Sequence, residues 1–181
     1  SVDIRQMESR YLMEQVSFVF QDVYLFKQSI RDNIRLGNQN ASDEQIQAAA
    51  KAAQCHDFIM ALPNGYDTII GEQGIHLSGG EQQRIAIARA IVKDAPVIVL
   101  DEATAFADPE NEHLIQKAFE KLMHGKTVII IAHRLSTVRN ADAIIVLEHG
   151  HIIERGTHDE LLAKKGVYYR LWNQLPGEDT L

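Results

Sequence analysis

Two short apolar runs separated by a helical pattern constrain the fold of this chain most strongly. Residues 97–100 and 127–132 are each typical of a strand buried on both faces of a parallel sheet, because 97–100 and 128–132 are continuously apolar. Residues 110–123 between them predict a helix with one apolar face. A strand, a helix and a strand at this spacing form a parallel crossover unit. The chain is therefore predicted to be α/β, with a mostly parallel sheet flanked by helices.

The remaining segments carry local signals for strands, helices and a hairpin. Ser42 and Gln45 form a capping box before a helix whose apolar face holds Ile46, Ala49, Ala50 and Ala53. We further predict a strand over 16–20, a helix over 79–92, a hairpin of 143–147 with 152–154 and closing helices over 159–164 and 168–174.

Composition excludes several classes of protein. The net charge of −7 leaves no basic stripe for nucleic acid, and the single Cys55 rules out an internal disulfide or a cysteine metal cluster. The apolar runs are far shorter than the roughly 20 residues that a membrane-spanning helix needs. Because the chain of 181 residues begins with Ser1, we expect it to be a piece of a longer protein.

Polar side chains follow three of the predicted strands. Gln21 follows the first strand, Asp101 and Glu102 follow the second, and His133 follows the third. In parallel sheets, ligands gather at the carboxyl ends of the strands. A carboxylate there can hold Mg²⁺, a second can accept a proton from water, and an imidazole can bind a phosphate oxygen. The alternatives are a helix cap for the acidic pair and a surface or capping role for His133.

A serine and two glycines open the predicted helix at residue 79. Ser78 can cap this helix, and Gly79 and Gly80 let backbone N–H groups approach a ligand without a Cβ in the way. The unpaired amides and the dipole of a helix N-terminus favour an anion. The alternative is a tight turn before an ordinary helix.

These motifs, in this order, resemble the nucleotide-binding (ATPase) domain of ATP-binding-cassette (ABC) transporters over nearly the whole chain. Leu77–Glu81 resembles the signature motif, with Glu81 where the family usually has glutamine, and Val97–Asp101 resembles the Walker B strand. Glu102 matches the catalytic base, and the other matches are the Q-loop glutamine Gln21, the D-loop aspartate Asp108 and the switch histidine His133. The segments 22–26, 65–68, 71–74 and 132–137 are similar to exporter-type members.

The resemblance implies a mechanism in which two such domains, identical or not, face each other head to tail and trap two ATP molecules. Ser78, Gly79 and Gly80 would contact the γ-phosphate held by the other domain, with Glu81 beside that site. Asp101 and Gln21 would bind Mg²⁺, and Glu102 would polarise the attacking water. His133 would hold the γ-phosphate, and Asp108 would cross the dimer interface. Asp22–Phe26 and Gly71–Gly74 would contact the transmembrane domain.

The family has a P-loop NTPase-like fold. By this resemblance, residues from about 22 to 92 would form the Q-loop and the helical signature lobe. Residues 1–21 and 93–181 would form the catalytic core lobe with the C-terminal helices. The resemblance implies a transport motor at the cytoplasmic face of a membrane, either a bacterial inner membrane or a plasma membrane. The alternatives are a soluble ABC ATPase of DNA repair or translation, and a non-catalytic remnant that serves only in docking or dimerisation.

The chain departs from the family pattern in two places. No Gly-x-x-x-x-Gly-Lys-Ser/Thr loop occurs in the 181 residues, and Ala105–Asp108 replaces the usual Ser-x-Leu-Asp. Family architecture implies that the strand before this Walker A loop lies inside the sheet, between 127–132 and 143–147. We therefore expect the isolated chain to bind ATP weakly or not at all and to fold poorly, and its full-length parent to be an active ATPase.

Overall fold

A computed structural model describes residues 3–71, 75–101, 109–132 and 135–174. The helices are α1 Ser9–Gln15, α2 Ile30–Arg35, α3 Asp43–Ala52, α4 His56–Ala61, α5 Gly79–Lys93, α6 Pro109–Met123, α7 His158–Lys164 and α8 Val167–Gln174. The strands are β1 Val16–Val19, β2 Val97–Asp101, β3 Thr127–Ile131, β4 Ile144–Glu148 and β5 His151–Gly156. The chain forms two compact units, residues 1–131 and 132–181. The predicted lobe boundaries near residues 22 and 92 remain a prediction.

The first unit contains a parallel sheet with β2 in the middle. β1 pairs with β2, and β2 pairs with β3, so that Phe18 lies beside Val99 and Val99 beside Ile129. Helix α6 joins β2 to β3, which confirms the predicted crossover unit. No helix within the described residues is long and apolar enough to cross a membrane.

The prediction that both apolar strands are buried on both faces is wrong. In β2, Ile98 and Leu100 lie in the core with α5 and α6, whereas Val97 and Val99 are only partly covered. In β3, the exposed fractions of Ile129, Ile130 and Ile131 are 51%, 41% and 49%. The reason is that β3 pairs only with β2 among the described strands. An edge strand keeps its apolar sequence but lacks a neighbour to cover it.

Four apolar side chains on one face of this sheet are exposed in the part of the chain that the structure describes. Phe18 and Phe20 stack with 5.7 Å between their ring centroids and are exposed. The register puts Phe18 in the same row as Ile129, and Ile131 follows two residues further along the same side of β3. We call these four residues the uncovered sheet face. Exposed apolar surface of this kind usually marks a contact with another segment or molecule.

Local capping signals fix the two helices that build most of the core. Both predicted helix starts carry complete capping boxes, Ser42 with Gln45 in α3 and Ser78 with Glu81 in α5. Asp94 ends α5 in the left-handed conformation, with a φ of 53°. The apolar faces of these helices lie in one core cluster, as predicted. Cys55 is fully buried in this cluster, and burial raises the pKa of its thiol to about 12.

Gly37 brings the end of α2 against the backbone of α5. A Cβ at this position would overlap the carbonyl oxygen of Arg89 and lie 3.2 Å from the amide nitrogen of Lys93. We expect Gly37→Ala to lower the free energy of unfolding by about 1–3 kcal/mol, because backbone atoms cannot move aside as a flexible side chain can. Thermal unfolding of the intact protein measures this. Gly79→Ala is the control, since nothing lies within 4 Å of its added Cβ, and an equal loss in both variants would contradict the explanation.

The second unit is a β-hairpin followed by two helices. β4 and β5 pair antiparallel through His149 and Gly150, both with positive φ, which confirms the predicted hairpin. Thr157 caps α7, and the carboxylate of Glu154 accepts hydrogen bonds from two amides at the start of α8. The predicted closing helices are therefore confirmed. Four apolar side chains of the hairpin are exposed, namely Ile145, Leu147, Ile152 and Ile153.

Candidate nucleotide-binding site

The N-terminus of α5 is exposed at Ser78 and Gly79 and begins with a complete capping box. The Oγ of Ser78 accepts a hydrogen bond from the amide of Glu81 at 3.3 Å. In return, the Glu81 carboxylate accepts from the Ser78 amide at 2.8 Å and from the Ser78 hydroxyl at 2.9 Å. Helix α5 has 15 residues, so its dipole is fully developed. This helix start is suited to an anion that approaches along the helix axis.

Gly79 has no packing reason to be a glycine. It is exposed, and a Cβ built on it would meet no atom within 4 Å. Its backbone φ is not in the positive region that favours glycine. The adjacent Gly80, in contrast, is buried. Space left open at Gly79 fits a ligand or a second molecule that comes close to the backbone at this point.

Glu81 places a negative charge against the hydroxyl of Ser78. We expect Glu81→Gln to strengthen nucleotide-driven closure of the intact protein several-fold, because a glutamine oxygen can accept the same two hydrogen bonds without the charge. The measurement is the Mg-ATP concentration at half-maximal closure. Glu160→Gln, in the matching capping box of α7, is the control. Weaker closure in Glu81→Gln alone would contradict this prediction.

The carboxyl edge of the sheet brings two predicted magnesium ligands to neighbouring strands. Asp101 is the last residue of β2 and is half-buried, and Gln21 lies two residues beyond the end of β1 and is exposed. Because Val19 pairs with Leu100, the residues that follow them leave the same edge of the sheet. Within the described residues, no three histidine, cysteine, aspartate or glutamate side chains cluster as a metal site. The donor set fits Mg²⁺, which keeps few protein ligands and takes its other oxygens from phosphate and water.

Three predicted site residues lie outside the described residues: Glu102, Asp108 and His133. The same is true of residues 72–74 in the predicted docking loop and of Ala105 in the departure from the D-loop pattern. The predicted roles of these residues remain predictions.

The sequence interpretation missed a polar cluster beneath the segment that follows Gln21. Asn33 in α2 is fully buried, and its side chain hydrogen-bonds to the backbone of Phe26. Arg89 in α5 reaches Asn33 and the carbonyl of Tyr24. A signal was present, since Arg89 interrupts the apolar pattern of α5 between two alanines. Its acceptors lie more than 50 residues away along the chain, and sequence alone does not reveal them.

Comparisons with known proteins identify relatives of this chain. A family model described as "ABC transporter" matches residues 1–105. The chain is 57% identical over 171 residues to the ATP-dependent lipid A-core flippase of Acinetobacter baylyi, covering 94% of the chain and 30% of that protein. It is 53% identical to the mycobactin import ATP-binding/permease protein IrtA of Mycobacterium tuberculosis, covering 94% of the chain and 20% of that protein.

A solved structure shows the same fold. The chain superimposes with a TM-score of 0.84 on a bacterial Atm1-family ABC exporter with ATP bound, at 42% identity over 99% of the chain and 31% of that structure. The parallel sheet flanked by helices is thus the ABC ATPase fold, as predicted. The chain spans less than a third of the length of these relatives. By its sequence and its fold, the chain belongs to the ABC transporter family.

Proposed function

We propose that these residues are part of the ATP-binding and hydrolysing motor of an exporter-type ABC transporter. ATP-driven association of two such domains would move a substrate across a membrane. The observation that carries this proposal is the N-terminus of α5, where Ser78 caps the helix and the unobstructed Gly79 leaves the first helical amides open to an anion from outside the fold. The similarity to an exporter solved with ATP bound supports the same assignment.

Each site residue has a role in this proposal. Ser78, Gly79 and Gly80 contact the γ-phosphate held by the opposite domain, and Gly79 and Gly80 donate their backbone amides to it. Glu81 accepts from both donors of Ser78 in the capping box, so the Ser78 hydroxyl must leave this carboxylate before it can donate to the phosphate. Asp101 and Gln21 hold Mg²⁺, directly or through water. When bound, the ion neutralises charge on the phosphates.

Three residues that lie outside the described residues have the remaining roles in ATP hydrolysis. Glu102 accepts a proton from the attacking water, and His133 donates to the γ-phosphate. Asp108 crosses to the opposite domain and links the two sites.

The transmembrane domain is the second partner in this proposal. Segment 22–26 would dock on its intracellular loops, together with residues 71–74. Tyr24 and Phe26 support this role, because they are 69% and 48% exposed and form an edge-to-face pair with 5.0 Å between ring centroids. Aromatic side chains presented to solvent in this way are typical of contact surfaces. In this proposal the chain works at the cytoplasmic face of the membrane.

A docking or dimerisation module without catalysis is the competing function. It is favoured by the lack of a Gly-x-x-x-x-Gly-Lys-Ser/Thr loop in these 181 residues. The two functions differ in what a change at Glu102 does. A module without catalysis has no use for a general base at this position.

We expect Glu102→Gln in the intact protein to reduce ATP turnover by roughly 100-fold or more, because positioned general bases contribute about 10²–10⁴-fold. The variant should at the same time retain bound ATP after rapid gel filtration, because the two closed domains separate only after the ATP between them is hydrolysed. Phosphate release and retained nucleotide are the two measurements. The matched control is Glu120→Gln, an exposed carboxylate of α6. Equal turnover in wild type and Glu102→Gln would contradict the motor function.

A further inference from the structure

We propose that Arg89 and Asn33 are positioning residues that couple the nucleotide-facing helix α5 to the exposed aromatic pair Tyr24 and Phe26. This inference rests on the proposed function, because it names how one site in this chain acts on the other. We call the two residues, with the backbone groups that they bind, the Arg89–Asn33 bracket.

Asn33 fixes the backbone of the segment that presents the aromatic pair. Its Oδ1 accepts a hydrogen bond from the amide of Phe26 at 2.9 Å. Its Nδ2 donates to the carbonyl oxygens of Phe26 at 3.0 Å, Gln28 at 3.4 Å and Ser29 at 3.0 Å. The side chain is fully buried, so water does not compete for these bonds. Asn33 thereby determines the path of the chain from Phe26 to Ser29.

Arg89 joins that segment to α5. Its Nε donates to the carbonyl oxygen of Asn33 at 2.9 Å, and one terminal nitrogen donates to the Oδ1 of Asn33 at 3.3 Å. The other terminal nitrogen reaches the carbonyl oxygen of Tyr24 at 3.4 Å. One planar guanidinium therefore binds α2, the buried amide and the aromatic segment at the same time.

The charge of Arg89 is not used in an ion pair among the described residues. Burial lowers the pKa of its guanidinium. The nearby Arg35, in contrast, pairs with Asp32 and Asp43 near the surface. A buried cation that binds only carbonyl and amide oxygens has a geometric role, because each of its bonds points to a fixed place.

Helix α5 provides a stiff connection between the bracket and the nucleotide face. Ten residues separate Gly79 from Arg89, which is about 15 Å along an α-helix. Gly37 holds the end of α2 in backbone contact with α5 at Arg89. A displacement of α5 when its N-terminus binds phosphate would therefore carry the bracket with it. The exposed rings of Tyr24 and Phe26 would move as one body with that helix.

The test compares wild type, Arg89→Lys and Arg35→Lys in the intact transporter. Lysine keeps the charge at position 89 but cannot bind the three separate acceptors, whereas lysine at position 35 can still pair with its carboxylates. The measurement is hydrogen exchange of the amides of residues 24–29 with and without Mg-ATP, together with ATP affinity. In wild type and Arg35→Lys, we expect Mg-ATP to change exchange in this segment by about tenfold. Arg89→Lys should bind ATP within about threefold of wild type and lose most of this response.

The other outcomes separate the coupling from the proposed function. An Arg89→Lys variant with the full exchange response overturns the coupling, as does a wild type that binds ATP without any response in residues 24–29. A wild type that binds no ATP overturns the proposed function itself and the coupling with it. If Arg89→Lys unfolds, Asn33→Ser is the second variant, since it removes the Nδ2 donors and leaves α5 intact. A full response in that variant also overturns the proposal.

Discussion

Replacing Gly79 with valine is expected to abolish nucleotide-dependent closure while leaving the fold stable. The branched side chain would fill the space that the structure leaves open around this residue. It would hold the phosphate away from the first amides of α5. A hydrogen bond to a charged group contributes about 1.5–3 kcal/mol, so losing one lowers affinity by about 10- to 100-fold. The loss of two or more such bonds should leave no measurable closure.

The stability of the Gly79→Val variant should be close to that of wild type. No atom lies within 4 Å of the new Cβ, and valine costs less in a helix than glycine does. Thermal unfolding and ATP-dependent association of the intact protein measure the two effects separately. Gly79→Ala, with a smaller side chain, should show an intermediate loss of closure. If the valine variant closes on ATP like wild type, the start of α5 does not face the nucleotide.

The isolated 181-residue chain is expected to bind Mg-ATP at least about 100-fold more weakly than the intact protein. A Walker A loop supplies most of the backbone donors and the lysine that hold the β- and γ-phosphates, and these residues do not include that sequence. Without that loop, no phosphate would be held beside Asp101, and a Mg²⁺ ion at Asp101 would lack its phosphate ligands. Titration of both proteins with Mg-ATP measures the difference. Micromolar affinity of the isolated chain would contradict the expectation.

The same isolated chain is expected to associate through the uncovered sheet face. Phe18, Phe20, Ile129 and Ile131 are exposed on one side of a sheet in which β3 pairs only with β2 among the described strands. Exposed apolar surface and unpaired strand edges both promote aggregation. We expect strong binding of a hydrophobic dye and an apparent mass that rises with concentration. A monodisperse chain that unfolds cooperatively and binds no dye would contradict this.

Much of the fold was predictable because its signals are local. The capping box at Ser42 and the cap at Ser78 need only residues three positions apart, and both are present as predicted. The hairpin through His149 and Gly150 is likewise set by its turn. The crossover from β2 to β3 follows from the order of the apolar runs.

The features that sequence did not reveal depend on distant neighbours. Helices α2 and α4 have six residues each, too few to show a helical period. The exposure of β3 depends on which strand lies beside it, and its own apolar sequence carries no information on this. Arg89 hydrogen-bonds to Asn33, which is 56 residues away in the sequence, so no local sequence pattern predicts this contact.

For the candidate site, too, the sequence predicts local features and does not reveal those that depend on distant partners. Ser78, Gly79 and Asp101 are fixed by the ends of single elements, and they lie where the motifs predicted, at the start of α5 and the end of β2. Their chemical roles require a second domain and a nucleotide, and these roles remain proposals. The same holds for Glu102, Asp108 and His133.

The buried position of Cys55 has a practical consequence for following these motions by spectroscopy. A thiol whose pKa is near 12 and whose surface is closed to solvent reacts very slowly with maleimides and methanethiosulfonates. It is the only cysteine among these 181 residues. Spin labels or fluorophores can therefore be attached at newly introduced surface cysteines of this domain without first removing the native one.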